Sequence, residues 1–404
     1  MNVVALRSFN HAAPAKAAPD NRIARVAVFH DMASAEPHWR ALEASGANLG
    51  TPYQAYDFLT LWQHHVGAGL GVTPFIVTGF NASGAPLFVW PLGRRRLAGM
   101  TVVEFLGGKH ANFNMALWRR DAAAELTAAD LDRVIAGLAP QADLILLKNQ
   151  PLTWAGATNP FALLARQPSA SFGYSGALTP DFDALFRART NAAARKKMRK
   201  KERALAEFGE VRFARASGAA EIRQVLDVFF KQKAARMQAL GVPDVFAEPG
   251  VRRFIESAAA EPPGDGEPPI ELYSLAVDNI IVATMGGIAG GGRFCAMFNS
   301  IAQGRYTVES PGEQLIVHLV RQCCERGFET FDLGTGEAKY KKLFCGDPEP
   351  LFDSYWPLSA AARRAAVVFR LTSAAKRAIK QRPLLWSALR AFRRLRARLS
   401  RPRA

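Results

Sequence analysis

The stretch that decides the fold is Tyr306–Phe344, YTVESPGEQLIVHLVRQCCERGFETFDLGTGEAKYKKLF. Ser310, followed three residues later by Glu313, has the spacing of a capping box, in which hydroxyl and carboxylate satisfy amides that a first helical turn leaves without partners. Pro311 fits the first helical position, where its missing N–H costs nothing. Leu315, Ile316, Leu319, Val320 and Cys323 recur at helical spacing as one apolar stripe, and Gly327 supplies the stop. The pattern predicts a helix over 311–326 and a strand over 329–333. Gly312 leaves the first turn without a side chain. The helix start is therefore expected to be open, with N–H groups and helix dipole available to a phosphate or diphosphate. Gly304 and Arg305, just upstream, join Ser310, Pro311 and Gly312 as candidates for holding that anion.

Upstream of this helix, residues 270–277, 280–289 and 293–300 read as three consecutive strands. Asp278-Asn279 and Gly290-Gly291-Gly292 supply the turns between them. Before them come a strand at 171–178, a long basic helix at 181–208, a strand at 210–216 and helices at 219–240 and 248–259. The first half has a similar order. Strands are expected at 25–30, 73–80, 86–94 and 101–106, helices at 33–43, 51–66 and 127–138, and a short buried strand at 143–148. Each half thus reads as a meander, then a helix, then a strand, which is an α/β class with mixed sheets. Four segments are expected: a disordered 1–22 rich in Ala and Pro, domains over 23–170 and 171–358, and a tail over 359–404.

Composition narrows the function. The chain of 404 residues is 49% hydrophobic and 22% charged, enough to bury two cores. No run is long and apolar enough to span a membrane, and the first twenty residues lack a secretory signal pattern. Cys295, Cys323, Cys324 and Cys345 contain no C-x-x-C pair, so they read as core thiols in a reducing, cytoplasmic setting, and no metal site is expected. The formal charge of +17 is concentrated: 14 Lys and Arg, with no Asp or Glu, lie between Ala361 and the end. Within that tail Leu385, Leu389, Phe392, Leu395 and Leu399 alternate with arginines, the pattern of a basic amphipathic helix at an anionic membrane surface, so peripheral attachment at the inner membrane is a further expectation. A second basic run, Arg187–Arg203, has no interleaved aromatics, which speaks against nucleic-acid binding. It reads either as a solvated face or as an attractor for an acidic partner.

Several spaced motifs agree, in order, with a known family. Tyr306, Ser310-Pro311-Gly312, Gly327-Phe328, Phe331-Asp332-Leu333-Gly334-Thr335-Gly336 and Lys339-Tyr340-Lys341 resemble the GNAT-like acetyltransferases of the cellulose-biosynthesis (CelD/BcsL) type. The basic run Arg195–Glu202, the segment Tyr53 to Trp62 and Gly107-Gly108-Lys109-His110 are similar to that family as well, so the likeness covers about 50–357. The family is related to the FemAB-type transferases, which pair two GNAT-like domains. The resemblance implies two tandem GNAT-like domains, acetyl-CoA or another acyl-CoA as donor, and a polar amine or hydroxyl acceptor such as a saccharide of envelope or exopolysaccharide synthesis. Direct transfer from a thioester needs a grip on the donor diphosphate, a base for the acceptor proton and an acid for the thiolate. Glu309 and Asp332 are the candidate bases, and Tyr306 and Tyr340 the candidate acids. His110, Asn112 and Lys339 are the candidate acceptor contacts. Two alternatives stand beside this reading: a FemAB-type aminoacyl transferase fed by charged tRNA, and a non-catalytic membrane-associated scaffold for polysaccharide synthesis.

Overall fold

The computed structural model describes residues 3–8, 20–260, 266–336, 338–346 and 348–382, with the backbone alone at 3–8 and 339. The described residues form two compact units, one within 1–172 with 350–378, the other within 173–349 with 379–382. Residues 350–378, which the sequence pattern divides between the second domain and the tail, thus cluster with the first unit.

The sheet of the first unit runs in the order Val3–Ser8, Arg25–Phe29, Thr73–Phe80, Pro86–Leu97, Met100–Phe105, Leu144–Pro151, Glu349–Pro357. Among the described strands only Met100–Phe105 and Leu144–Pro151 pair in parallel, joined through the helix Ala128–Gly137. That helix starts at a true capping box, where Thr127 and Asp130 satisfy each other's amides. Trp90, Trp118, Phe88 and Phe161 pack ring to ring at the centre. Residues 3–8 pair antiparallel with Arg25–Phe29, so the expectation of disorder over 1–22 is corrected there. The helix Ala360–Gln381 lays Ala362, Ala366 and Phe369 against Val102, Leu144, Leu146 and Tyr355 of this unit. The apolar stripe expected at 385–399 lies outside the described residues.

The second unit repeats the plan, and its elements are labelled here. They are β1 (Gln167–Ala177), α1 (Phe182–Arg189), α2 (Ala192–Ala206), β2 (Val211–Arg215), α3 (Gly218–Leu240), α4 (Val251–Ala260), β3 (Glu271–Val277), β4 (Ile280–Gly290), β5 (Arg293–Ile301), α5 (Pro311–Glu325) and β6 (Thr330–Thr335). The sheet order is β1-β6-β5-β4-β3-β2, antiparallel except for β5 and β6. Both units therefore carry an antiparallel meander, a crossover helix and one parallel strand, the mixed α/β architecture of two tandem GNAT-like domains. The single helix expected over 181–208 is two helices, because Asn191 breaks the run and caps α2 by accepting from the Ala194 amide at 2.8 Å.

Two features of the β4–β5–β6 region shape the site. Gly286 and Gly287 of β4 flank a register shift opposite a bulge in β5 at Met297, and a Cβ on either would lie 2.1 or 2.3 Å from the Phe298 or Phe294 ring. Glycine is required there because the rings lie flat on the strand. The parallel ladder of β5 and β6 holds only from Arg293↔Thr330 to Cys295↔Asp332. Beyond Cys295, β5 stays with β4 as far as Ile301, while β6 stays with β1 as far as Thr335. The two parallel strands thus diverge, and the short 3-10 segment Lys339–Leu343 bonds to both sides of the gap: Tyr340 to the Asn299 side chain of β5, Lys341 to the Gly334 and Thr335 carbonyls of β6.

Candidate active site

A cavity of about 380 Å³ opens beside the start of α5, a size suited to a small organic ligand. Its walls come from the α1–α2 junction (Arg189, Thr190, Asn191), one face of α2 (Ala194, Lys197, Met198, Lys201), the α5 entry (Glu309, Ser310, Glu313, Gln314) and the 3-10 segment (Tyr340, Lys342, Leu343). Four cationic side chains face two carboxylates, so the field favours an anion. The basic face follows from sequence: α2 buries only Leu205, and seven of its other positions carry Lys or Arg whose charges stay in solvent.

The helix start differs from the sequence expectation. Ser310 sits in the left-handed region, at φ 53° and ψ 57°, and makes no side-chain cap. Its Oγ accepts instead from Lys201 Nζ. Its carbonyl takes the Glu313 amide at 3.0 Å and the Gln314 amide at 3.3 Å, and Gln314 Nε2 closes on the Glu309 carbonyl at 2.9 Å. The capping box is therefore absent, because a left-handed backbone turns the hydroxyl away from the third helical amide. Gly312, half-buried, does not line the cavity. A Cβ there would sit 2.7 Å from Ile301 Cδ1, so its missing side chain makes room for β5. Attraction for an anion at this place comes from the cations of α2, more than from bare helix amides.

Tyr340 stands in the cavity wall with its hydroxyl bonded to the Asn299 side chain, and burial raises its pKa. Asn299 is gripped a second time, since its carbonyl accepts from Lys233 Nζ of α3 at 3.1 Å. A neutral phenol held by a side-chain amide can deliver a proton to a leaving anion. Glu309 is half-buried in the same wall. Ser310, Glu309 and Tyr340 are thus brought to one cavity.

Asp332 is not brought there. It is fully buried on β6 and accepts from Arg293 Nε at 3.0 Å, from Arg293 Nη2 and from the Gly334 amide. Arg293 Nη2 also reaches Glu349 Oε2 at 3.0 Å, and the other oxygen of Glu349 accepts from Ser175 Oγ. Burial lifts the Asp332 carboxyl to about 6 even against the guanidinium. Its geometry is that of an internal ion cluster, set apart from the cavity that holds Glu309 and Tyr340. Lys341 belongs to the same interior, 3% exposed. Its ammonium donates to the Gly334 and Thr335 carbonyls at 3.1 and 2.9 Å, and burial lowers it to about 8.

The remaining candidates fall elsewhere. The Tyr306 hydroxyl accepts from Arg305 Nη2 at 2.6 Å, and its ring meets Phe208 edge-on. Arg305 stacks over both rings, so this pair ties the segment before α5 to the end of α2 and does not line the cavity. Gly304, at φ 92°, supplies the turn ahead of them, and Pro311 is buried at the first position of α5. In the first unit, His110 Nδ1 accepts from Trp62 Nε1 at 3.0 Å, and Asn112 donates to the Tyr53 hydroxyl at 3.0 Å. Both pin the segment after Gly107-Gly108 to the first helices. The Lys339 side chain lies outside the described atoms. All four cysteines are buried, as the composition suggests. Asn299 carries no sequence signal for its position behind Tyr340.

Comparison with known proteins adds the class of chemistry. Residues 192–342 match a family model described as an acetyltransferase (GNAT) domain. That interval holds every side chain of the cavity except Arg189, Thr190, Asn191 and Leu343. No curated protein matches the chain. Among solved structures, FemX aligns at 12% identity over 79% of this chain and 95% of its own, with a TM-score of 0.52. The C-terminal (DUF2156) domain of an Agrobacterium fabrum protein assigned as a lysylphosphatidylglycerol synthetase aligns at 11% identity, over 84% and 96%, with a TM-score of 0.50. These two likenesses concern the fold. The GNAT-type acetyltransferase domain makes the chain an acyltransferase enzyme.

Proposed function

We propose that this acyltransferase takes its acyl group from acetyl-CoA or another acyl-CoA and passes it to an amine or hydroxyl of a polar acceptor. The observation that carries the reading is the cation-rich cavity at the start of α5 with Tyr340 in its wall. Lys197, Lys201 and Lys342 would neutralise the donor phosphates. The acceptor nitrogen or oxygen attacks the thioester carbonyl and gives its proton to Glu309. The carbon–sulfur bond then breaks, and the departing thiolate takes a proton from Tyr340. The protein supplies no nucleophile in this scheme, in keeping with four cysteines that burial raises or encloses. A saccharide acceptor, as in cellulose or other exopolysaccharide synthesis, is supported by the sequence resemblance alone.

Calorimetric titration of acetyl-CoA into the full chain tests the donor. Binding at micromolar to millimolar levels is expected, weakened about tenfold or more in Lys197→Ser/Lys201→Ser if each exposed cation contributes about 1 kcal/mol toward phosphate. No heat with any acyl-CoA would sink the reading. An aminoacyl donor carried on tRNA is the second reading, favoured by the solvated cations of α2. It predicts RNA affinity falling steeply with salt.

A further inference from the structure

We propose that the outward face of the helix Ala360–Gln381 docks on an anionic lipid surface. This inference is independent of the acyl-transfer reading. The helix is apolar on two opposite sides. One side is spent on the core of the first unit, through Ala362, Ala366 and Phe369. A helix packed in this way normally turns charged and polar residues to solvent. This one turns out Val367, Val368 and Leu371, at 50, 59 and 64% exposure. At helical spacing Ala374, Ala375 and Ala378, all exposed, prolong the same stripe. A contiguous apolar strip on a solvent-facing helix calls for an occupant.

Charge identifies the occupant. Arg363, Arg370 and Arg377 recur every seven residues and so run along one border of the strip, Lys376 lies on the other, and exposed Arg364 closes the strip at its N-terminal end. Arg370 is turned partly inward, donating to the Tyr355 carbonyl at 2.9 Å. The helix contains no Asp or Glu. A second copy of the chain would bring the same arginines against these, with like charges facing across the strip. A single convex helix offers no groove for a peptide. An apolar strip edged with cations matches the boundary of a bilayer, where acyl chains accept the aliphatic side chains and phosphate headgroups meet the arginines. No helix among the described residues is long and apolar enough to cross a membrane, so the contact is lateral.

The test is cosedimentation of the full chain with vesicles of phosphatidylcholine containing phosphatidylglycerol, against vesicles of phosphatidylcholine alone. Binding to the anionic vesicles only is expected. Val367→Glu/Leu371→Glu should weaken it at least about tenfold, and Arg363→Ser/Arg377→Ser by about thirtyfold. Val367, Leu371 and Arg363 are exposed and Arg377 is half-buried, and circular dichroism verifies that each variant folds. Equal binding to both vesicle types, unchanged binding by either variant, or no binding by the wild type overturns the proposal. So does a self-association that Val367→Glu/Leu371→Glu abolishes in a protein indifferent to lipid, which would identify the occupant as a second copy.

Discussion

Replacing Arg293 by Met would remove the counter-charge of a carboxylate that has no access to water. Asp332 is 0% exposed and accepts two bonds from this guanidinium, keeping only the Gly334 amide once it is gone. With Arg293 present, the carboxyl already lies at about 6, against an ordinary 3.8. A raised carboxyl means that the fold prefers the protonated form. Its contribution is fully present below about pH 4 and is lost as pH rises through 6, a decline of about 3 kcal/mol for a gap of about two units. Losing an opposite charge at contact distance raises a carboxyl by roughly one to three units more, so in the variant the decline deepens and extends above pH 6. The cost of the substitution should therefore be small near pH 4.5 and reach about 3–5 kcal/mol at pH 8, the range for one partner stripped from a buried pair. The bond to Glu349 adds little, because that carboxylate is 39% exposed. Native-state hydrogen exchange on peptides from β5 and β6 gives the opening free energy at each pH. Fluorescence would miss it, since no tryptophan lies between 173 and 349. A cost that is equal at both pH values, or below about 1 kcal/mol at pH 8, would refute the ion-cluster account.

Two further outcomes separate structure from chemistry in the same region. Asp332→Asn should leave the turnover of folded enzyme within about threefold, whereas Tyr340→Phe should lower kcat by about a hundredfold with little change in donor KM. A comparable collapse in Asp332→Asn, measured as initial rates corrected for folded fraction, would restore Asp332 to the reaction. Gly312→Ala should cost about 1–3 kcal/mol in urea unfolding, because its methyl meets Ile301, yet acetyl-CoA affinity in the folded fraction should hold. Loss of affinity without loss of stability would show that the α5 start faces the donor after all.

Local pattern carried much of the architecture. The β3–β4–β5 meander was legible because Asp278-Asn279 and the Gly290–Gly292 run punctuate three apolar stretches. The helix α5 was legible because its five stripe residues are all buried. Long-range pairing was not. Arg293 meets Asp332 because Cys295 and Asp332 are neighbours in a parallel ladder, a register that a separation of 39 positions in the chain does not announce. Ser310 and Glu313 have the spacing of a cap, but that spacing cannot reveal a residue at φ 53°. The break at Asn191 was visible as a capping residue before three alanines, although the strong helix formers on both sides mask it. Of the candidate site, Tyr340 and Glu309 were reachable from sequence. The partner that holds the phenol, Asn299, was not, since it stands on β5 with no local motif around it.

The interrupted make-up of the first unit has a consequence for how the protein is made. Its strand Glu349–Pro357 pairs with Leu144–Pro151, matching Leu351 to Pro151 across about 200 residues. On the ribosome that partner emerges only after residues 173–349, so the sheet of the first unit is closed only after the strands of the second have been made. The same interruption dictates where the gene can be cut: the first unit comes out as one piece only by splicing residue 172 to 350.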